Sequence, residues 1–147
     1  MLRCLEPGLS IIVGTTDAKG APASCRGIAI ASHDDLATVT VFLPVATSHE
    51  AIQNIALTKR MAVSSTNMAD HSSTQMKGTT IDARLATEDE SAYVRSRFEA
   101  FVQGLMAYGV SPRLARSVRH WPAFAVTLKV EQMFEQTPGP NAGRRMR

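Results

Sequence analysis

The first half of the chain alternates short apolar segments, rich in β-branched residues, with polar turn residues. Segments of this kind with period-two alternation are typical of strands. We predict three of them there: residues 9–16, 22–30 and 36–43. The turns between them fall at residues 17–20, where Gly20 permits positive φ, and at residues 33–35. Three strands joined by short turns predict an antiparallel meander.

Two segments have the form of a capping box, in which a threonine accepts a hydrogen bond from the backbone three residues later and a glutamate reaches back. Thr47 and Glu50 form the first box and predict a short helix through Leu57. Thr87 and Glu90 form the second box and predict a longer helix. Its apolar residues are expected to face the core: Tyr93, Phe98, Phe101, Val102 and Leu105.

The second half of the chain adds three predicted strands and a third helix. The strands cover residues 61–66, 75–86 and 123–134, and the last has the clearest period-two alternation in the chain. Gly78 interrupts the middle strand, where we expect a bulge or a close backbone approach. Ser111 and Pro112 are an N-cap and first-turn pair that predict a helix to about His120.

About six strands with two or three late helices predict an α+β fold, a small antiparallel β-barrel. The predicted domain covers residues 1–135, and residues 136–147 form a tail rich in Pro, Gly and Arg. A chain of 147 residues, 44% of them hydrophobic, suffices for one core. Because a barrel this small leaves one apolar face partly open, we also expect a dimer.

Charge and composition narrow the classes of function. No stretch approaches the roughly 20 apolar residues of a membrane span, and the first residues lack a signal sequence, so we expect a cytoplasmic protein without a membrane partner. The net charge of +3 comes wholly from Arg144, Arg145 and Arg147, which leaves no basic face for a nucleic acid. Cys4, Cys25 and the histidines have no metal-ligand spacing, so no metal site is expected.

A set of short motifs occurs in a recognisable order. Asp17-Ala-Lys-Gly-Ala-Pro22 follows the first strand, Thr47 to Asn54 covers the short helix, and Gln75-Met-Lys-Gly78 lies in a later strand. This order resembles the pyridoxamine 5'-phosphate oxidase-like family of FMN-binding split-barrel proteins. The resemblance implies a homodimer of six-stranded split barrels with two FMN sites between the chains.

The resemblance also implies site residues by position. Three lie on the second strand, facing the flavin and its phosphate side: Arg26, Gly27 and Ile28. Three belong to the short helix, near the phosphate or the ribityl chain: Thr47, Ser48 and Asn54. Two approach the isoalloxazine or the phosphate from the later strand: Gln75 and Lys77. Many flavin-binding relatives have Lys or Arg directly after the threonine, whereas this chain has Ser48 and His49, so backbone amides at the helix start would hold the anion.

Each group of basic residues has two possible roles. Arg26 either meets an anion, because an unpaired guanidinium is costly to bury, or points to solvent. Lys77 is either a ligand or a solvated lysine. Arg113, Arg116 and Arg119 lie three apart and form either a solvated stripe or a contact for an anionic substrate. The tail either folds over the partner's flavin site or is disordered.

The leading hypothesis is an FMN-dependent oxidoreductase that acts on an unidentified small molecule, with the cofactor performing the two-electron chemistry. No catalytic residue is assigned, since such a site need not contain a protein acid or base. One alternative is a non-catalytic module on the same fold that holds a flavin, a haem or another anionic ligand. Another is a structural dimer without a ligand. Hydrolase chemistry has no support, because no serine lies in a nucleophile-elbow motif.

Overall fold

The computed structural model of the chain describes residues 3–33 and 36–147. Two residues of the predicted 33–35 turn, Asp34 and Asp35, therefore lie outside the described residues. The strands are β1 (Leu9–Thr16), β2 (Pro22–Gly27), β3 (Ala29–His33), β4 (Thr38–Pro44), β5 (Arg60–Asn67), β6 (Ser73–Leu85) and β7 (Ala123–Glu135). The helices are α1 (His49–Thr58), α2 (Glu88–Ala107) and α3 (Pro112–Arg116), with short 3-10 turns at Arg3–Leu5 and Val45–Thr47.

One bent strand closes the sheet into a barrel. β2 and β3 are its halves, separated only by Ile28. The order of the antiparallel strands is β2-β1-β5-β6-β7-β4-β3, so the two halves lie at opposite edges of the sheet. The Ile28 N–H donates to the Phe42 carbonyl oxygen at 2.9 Å, which ties the bend to β4. Because the chain is continuous through Ile28, it brings the two edges together.

The predicted strand over residues 22–30 is thus split in two, which makes seven strands where six were predicted. The reason lies at Gly27. A Cβ atom there would lie 2.6 Å from Ile11 Cγ2, so a larger residue would require the Ile11 side chain to move, and glycine lets the backbone pass close to it. The strand bends at this point and leaves β1 for β4.

The core has two parts on opposite sides of the sheet. The barrel interior is filled by alternate strand residues that include Val13, Val39, Val63, Met76 and Leu128. The second part lies between the sheet and α2 and includes Ile28, Phe98, Phe101, Val102 and Ala125. Each fully buried Val or Leu contributes about 1.5–3 kcal/mol of transfer free energy, so the period-two pattern of the strands is the main source of stability.

The helix starts differ in how well the sequence predicted them. The capping box predicted at Thr47 is wrong, because the 3-10 turn Val45–Thr47 moves the start of α1 to His49. Ser48 occupies the N-cap position, but its hydroxyl donates backward to the Pro44 carbonyl oxygen at 2.6 Å. The box predicted at Thr87 is confirmed, and the Glu90 carboxylate accepts from the Thr87 N–H at 2.7 Å.

Helix α3 is shorter than predicted. Its N-cap is confirmed, since the Ser111 hydroxyl accepts from the Leu114 N–H at 3.3 Å. The helix ends at Arg116 and not near His120, because the Ser117 hydroxyl and N–H both donate to the Leu114 carbonyl oxygen. Arg119 therefore lies outside the helix, and the predicted stripe of three arginines on one helical face is wrong.

The bulge predicted at Gly78 is confirmed. The register between β6 and β7 shifts between Lys77 and Gly78. A Cβ atom on Gly78 would lie 1.8 Å from the carbonyl oxygen of Lys129, so the two backbones are in direct contact there. This close approach holds β6 and β7 together at the middle of the sheet.

The C-terminal tail folds back along β7 of its own chain. The Gly143 N–H donates to the Glu135 carbonyl oxygen and the Met146 N–H to that of Met133, both at 2.7 Å. These bonds extend the sheet beyond the part of β7 that pairs with β4. Within the described ranges, no helix has the length and the apolar character needed to span a membrane.

Candidate functional site

The outer face of β2, β1, β5 and β6 carries two rows of side chains that run across the strands. The register of the strands places in one row Arg26, Ile12, Ser64 and Gln75. It places in the next row Ser24, Gly14, Ala62 and Lys77. Because neighbouring strands lie about 4.8 Å apart, each row spans about 14 Å. Three of the predicted site residues, Arg26, Gln75 and Lys77, therefore share this face.

The second row lies along an open groove of about 590 Å³, a volume within the range of small-molecule sites. Gly14 and Ala62 are Cα partners on β1 and β5 and leave its floor without large side chains. A Cβ atom on Gly14 would have no neighbour within 4 Å. The groove is therefore open above this glycine, and its floor is suited to a flat ligand.

Two cations line the groove, and they differ in their partners. Arg60 donates to Glu131 Oε2 and to Thr79 Oγ1, both at 2.8 Å. Hydrogen bonds from Thr79 and then from Arg60 lower the pKa of Glu131, so this carboxylate stays ionised. Lys77 has no carboxylate within ion-pair distance in the described part of the chain. Its ammonium group lies 5.0 Å from the centre of the Phe134 ring and is available to an anion.

Arg26 lies at the margin of this face and is turned toward α2. Its guanidinium carbon lies 5.0 Å from the centre of the Phe101 ring, and Nη1 donates to Ser10 Oγ at 3.3 Å. Burial lowers the pKa of Arg26, because the charged form loses hydration. No carboxylate in residues 3–33 and 36–147 forms an ion pair with it. Arg26 is thus a half-buried cation whose only polar partner there is a neutral hydroxyl.

Other predicted site residues lie in the interior of the single chain. Gly27 and Ile28 are buried at the bend between β2 and β3. Ser48 is buried and bonded to the Pro44 carbonyl oxygen, whereas Thr47 is exposed in the turn before α1. The structure therefore does not bring these four residues into the groove, and a contact between any of them and a flavin stays a prediction.

Asn54 has an indirect connection to the groove. Its side chain is buried on α1, and Nδ2 donates to Thr15 Oγ1 at 3.1 Å. Thr15 is itself one of the residues that line the groove. Asn54 therefore fixes the position of a groove residue, and this bond joins α1 to β1.

Sequence reasoning missed Gly14, Ala62 and Arg60. Gly14 and Ala62 are small residues at outward positions of two strands, and only the register shows that they are neighbours. Arg60 is the first residue of β5, and its position beside the groove depends on where α1 ends. A glycine at an outward position of a predicted strand was the one signal in the sequence, because glycine in a strand often marks a close approach of a ligand.

The groove offers binding groups, and the cysteine beside it is not a reactive thiol. Cys25 lies on the neighbouring strand β2, but its side chain packs against the barrel interior. Burial raises the pKa of the Cys25 thiol to about 11, so the thiol is protonated at neutral pH. Among residues 3–33 and 36–147, no three or more His, Cys, Asp and Glu side chains form a group able to hold a metal ion.

No family model and no curated protein sequence matches the chain. Solved structures match it over most of its length. An F420 reductase matches with a TM-score of 0.57 and 12% identity, over 88% of this chain and 92% of the reductase. HupZ of Group A Streptococcus matches with a TM-score of 0.53 and 20% identity, over 91% and 90% of the two chains. A candidate pyridoxamine 5'-phosphate oxidase from Lactobacillus delbrueckii matches with a TM-score of 0.52 and 15% identity, over 85% and 83%.

At these identities the similarity concerns the fold. The antiparallel sheet of the described residues curls into a barrel through the bent β2–β3 strand, with α2 packed on its outside. This agrees with the α+β barrel predicted from the sequence. The chain is therefore a split-barrel protein with the fold of the pyridoxamine 5'-phosphate oxidase-like proteins, as the order of its sequence motifs predicted.

Proposed function

We propose that the chain binds FMN in the groove on its outer sheet face, as a homodimer, and acts as a flavin-dependent oxidoreductase on a small molecule. The observation that carries this proposal is a floor of small residues beside the ammonium group of Lys77, which forms no ion pair with a carboxylate of the described residues. Gly14 and Ala62 form the floor, and Lys77 lies in the same row of side chains. The isoalloxazine ring is flat, with an apolar dimethylbenzene end, and the flavin phosphate is an anion, so the flat floor and the Lys77 ammonium group each match one part of the cofactor.

The phosphate needs more positive charge than Lys77 supplies. A flavin phosphate carries nearly two negative charges and is held by paired cations or by several oriented donors. Gln75 lies on the same strand face as Lys77, and its Nε2 donates to Ser64 Oγ at 3.2 Å. Arg26 lies three strands away in the row of Gln75, about 14 Å, so it would contact the other end of a long ligand and not the phosphate beside Lys77.

A second copy of the chain would cover the open side of the groove. Ile12 lies on the same face and is 41% exposed, although it is in the middle of a row of the sheet. An apolar side chain of this size gains free energy when a partner covers it. A homodimer that uses this face would exclude water from the ring and would bring cations from both chains to it.

Two of the structural neighbours support an oxidoreductase. One is named as an F420 reductase, and another as a candidate pyridoxamine 5'-phosphate oxidase. FMN, when bound, supplies the two-electron chemistry, so the chain needs only to bind and orient it.

A non-catalytic module that holds a flavin or a haem is the second candidate. The observation that favours it is the start of α1, where Ser48 is buried and bonded to the Pro44 carbonyl oxygen and His49 follows it. No side chain of fixed positive charge follows Thr47 there. A weakly held or exchangeable ligand is more compatible with storage or sensing than with turnover.

The visible spectrum of the purified protein with added FMN tests the proposal. We expect bound flavin with bands that a reductant bleaches and oxygen restores, and a Kd that rises about tenfold in Lys77→Gln, because one charge-assisted contact is lost. Lys59→Gln is the matched control, since Lys59 is an exposed lysine outside the groove. A protein that binds no added FMN would refute the proposal. Bound flavin that dithionite bleaches but that neither NADH nor NADPH reduces would favour the non-catalytic module.

A further inference from the structure

We propose that the end of β6 is a surface through which two copies of this chain pair, antiparallel and centred on Ala83. The segment concerned, residues 81–85, is called the β6 edge segment below. It is separate from the flavin groove, so the inference does not depend on the proposed cofactor. The partner to which the observations point is a second copy of the same chain.

One edge of this segment is unpaired. β5 accompanies β6 only as far as the pair of Arg60 and Thr79, and the Thr80 N–H donates to the Lys59 carbonyl oxygen at 2.8 Å. Beyond that point the chain of β5 gives way to α1. Residues 82–85 then pair with β7 alone, and no other strand of the described residues contacts their opposite edge. A row of backbone donors and acceptors is therefore left open for another strand.

The segment also exposes its side chains. All five residues are exposed, and the two largest apolar ones, Ile81 and Leu85, are 59% and 61% exposed. A groove of about 360 Å³ separates the segment from α1, and its lining combines apolar residues such as Ile52 and Ala56 with polar ones, Lys59, Thr80 and Asp82. The unpaired edge thus faces a space with both apolar and polar walls.

The sequence of the segment is complementary to itself. When two copies pair antiparallel with Ala83 opposite Ala83, Asp82 lies opposite Arg84 of the partner subunit. This charge pair occurs twice because of the two-fold axis, and directly opposite charges stabilise paired strands. Ile81 is a bulged residue between the pairs Thr80–Leu128 and Asp82–Thr127, so the regular pairing begins at residue 82. The small side chain on the axis lets the strands approach.

The same residues would destabilise a parallel arrangement of the two segments. Parallel pairing in register would place Asp82 against Asp82 and Arg84 against Arg84, and like charges directly opposite are destabilising. Arg84 is also held in place within its own chain. It donates to both carboxylate oxygens of Glu90 at 2.8 Å, and its Nε lies 3.8 Å from Asp82 Oδ2. A guanidinium already fixed near Asp82 loses little conformational entropy when a second carboxylate joins it.

A cysteine at the axis tests the pairing. Cα atoms directly opposite in an antiparallel pair lie about 4.5–5.5 Å apart, within the range of a disulfide. We expect full-length Ala83→Cys to form a covalent dimer on mild oxidation, seen by non-reducing electrophoresis. Asp82→Cys is the matched control, because two copies of residue 82 are diagonal neighbours about 7–8 Å apart. Absence of the cross-link in Ala83→Cys, or equal cross-linking of both variants, would overturn the proposal.

Sedimentation of variants without new cysteines provides an independent test. Asp82→Arg turns both attractive pairs into repulsive ones, so we expect the dissociation constant of this association step to rise about tenfold or more. Leu114→Arg is the control, since Leu114 is 63% exposed on α3, outside the segment. Thermal unfolding of each variant verifies that it folds. A wild-type chain that is monomeric at all concentrations, or an Asp82→Arg variant that associates like the wild type, would contradict the proposal.

Discussion

At the scale of single residues, two glycines that both lie within strands are subject to opposite constraints. Gly78 has no room for a side chain, because its Cβ position lies 1.8 Å from the Lys129 carbonyl oxygen. Gly14 has free space above it, with no atom within 4 Å of its Cβ position. Backbone contact explains the first glycine, whereas the second lies on the floor of an open groove.

Substitution of each glycine by alanine should separate these two roles. We expect Gly78→Ala to lower the free energy of unfolding by about 3 kcal/mol or more, because the backbone of β7 must move away. We expect Gly14→Ala to be neutral or to stabilise by about 0.5–1 kcal/mol, because alanine loses less entropy in a strand. Denaturant unfolding measures both. Equal destabilisation by the two substitutions would contradict the assignment.

His120 makes the stability of the protein dependent on pH. Its ring stacks on Phe98 with the ring centres 3.8 Å apart and the planes at 7°. Burial is the largest cause that lowers the pKa of His120 below its usual 6.5, and the nearby charge of Arg95 lowers it further, against an opposing backbone hydrogen bond at Val118. The unfolded chain therefore binds a proton more readily than the folded one.

Stability should accordingly fall as the pH is lowered from 6.5 through the pKa of folded His120, and it should be fully present above 6.5. We expect His120→Phe to remove this part of the pH dependence, because phenylalanine keeps a ring and has no proton to bind. Denaturant unfolding at a series of pH values between 8 and 5 measures it. An unchanged slope in the variant would show that other groups cause the dependence.

At the scale of secondary-structure elements, the start of α2 combines a cap with an ion pair. Glu90 accepts from the Thr87 N–H and from Arg84, and these contacts, with Arg84 the largest cause, lower its pKa to about 2. Because the folded pKa lies below the usual 4.5, the stabilisation is present above pH 4.5 and is lost as the pH falls toward 2.

Glu90→Gln should therefore lower the free energy of unfolding by about 1 kcal/mol at neutral pH, a value that allows for solvent screening of a partly exposed ion pair. Near pH 2 the substitution should hardly change the free energy of unfolding. The difference between the unfolding free energies of wild type and variant, followed against pH, measures this. Asp89→Asn is the control, since it removes a neighbouring charge in the same helical turn. A cost independent of pH would mean that the ionised carboxylate is not responsible.

Elements with a strong internal pattern could be predicted from the sequence, and those decided by neighbours could not. The alternation in residues 123–134 identifies β7, and the Thr87 box identifies the start of α2. The Thr47 box has the same residue types and fails, because the chain leaves β4 through a 3-10 turn and Ser48 bonds to Pro44. The different outcome at Thr47 is caused by the preceding strand, so it cannot be predicted from the four residues of the motif.

At the scale of the whole molecule, the barrel could be predicted, but the composition of the groove could not. The order of motifs led to the correct fold, whereas the shared face of Lys77, Gln75 and Arg26 follows from the strand register in the structure. The partnership of Gly14 with Ala62 depends on the register of β1 against β5, and local sequence does not determine that register. The same barrel leaves the second edge of residues 82–85 without a paired strand, because β5 accompanies β6 only as far as Thr79.

The central claim is that the outer groove beside Gly14 binds FMN, and a titration of Gly14→Leu against wild type tests it most directly. Leucine at this outward position would fill the groove and would meet no other part of the chain near its Cβ. Quenching of flavin fluorescence measures Kd, and thermal unfolding verifies the fold. We expect Kd to rise about a hundredfold with an unchanged unfolding temperature, because the ring loses its floor. Wild-type affinity in a folded Gly14→Leu variant would contradict the claim.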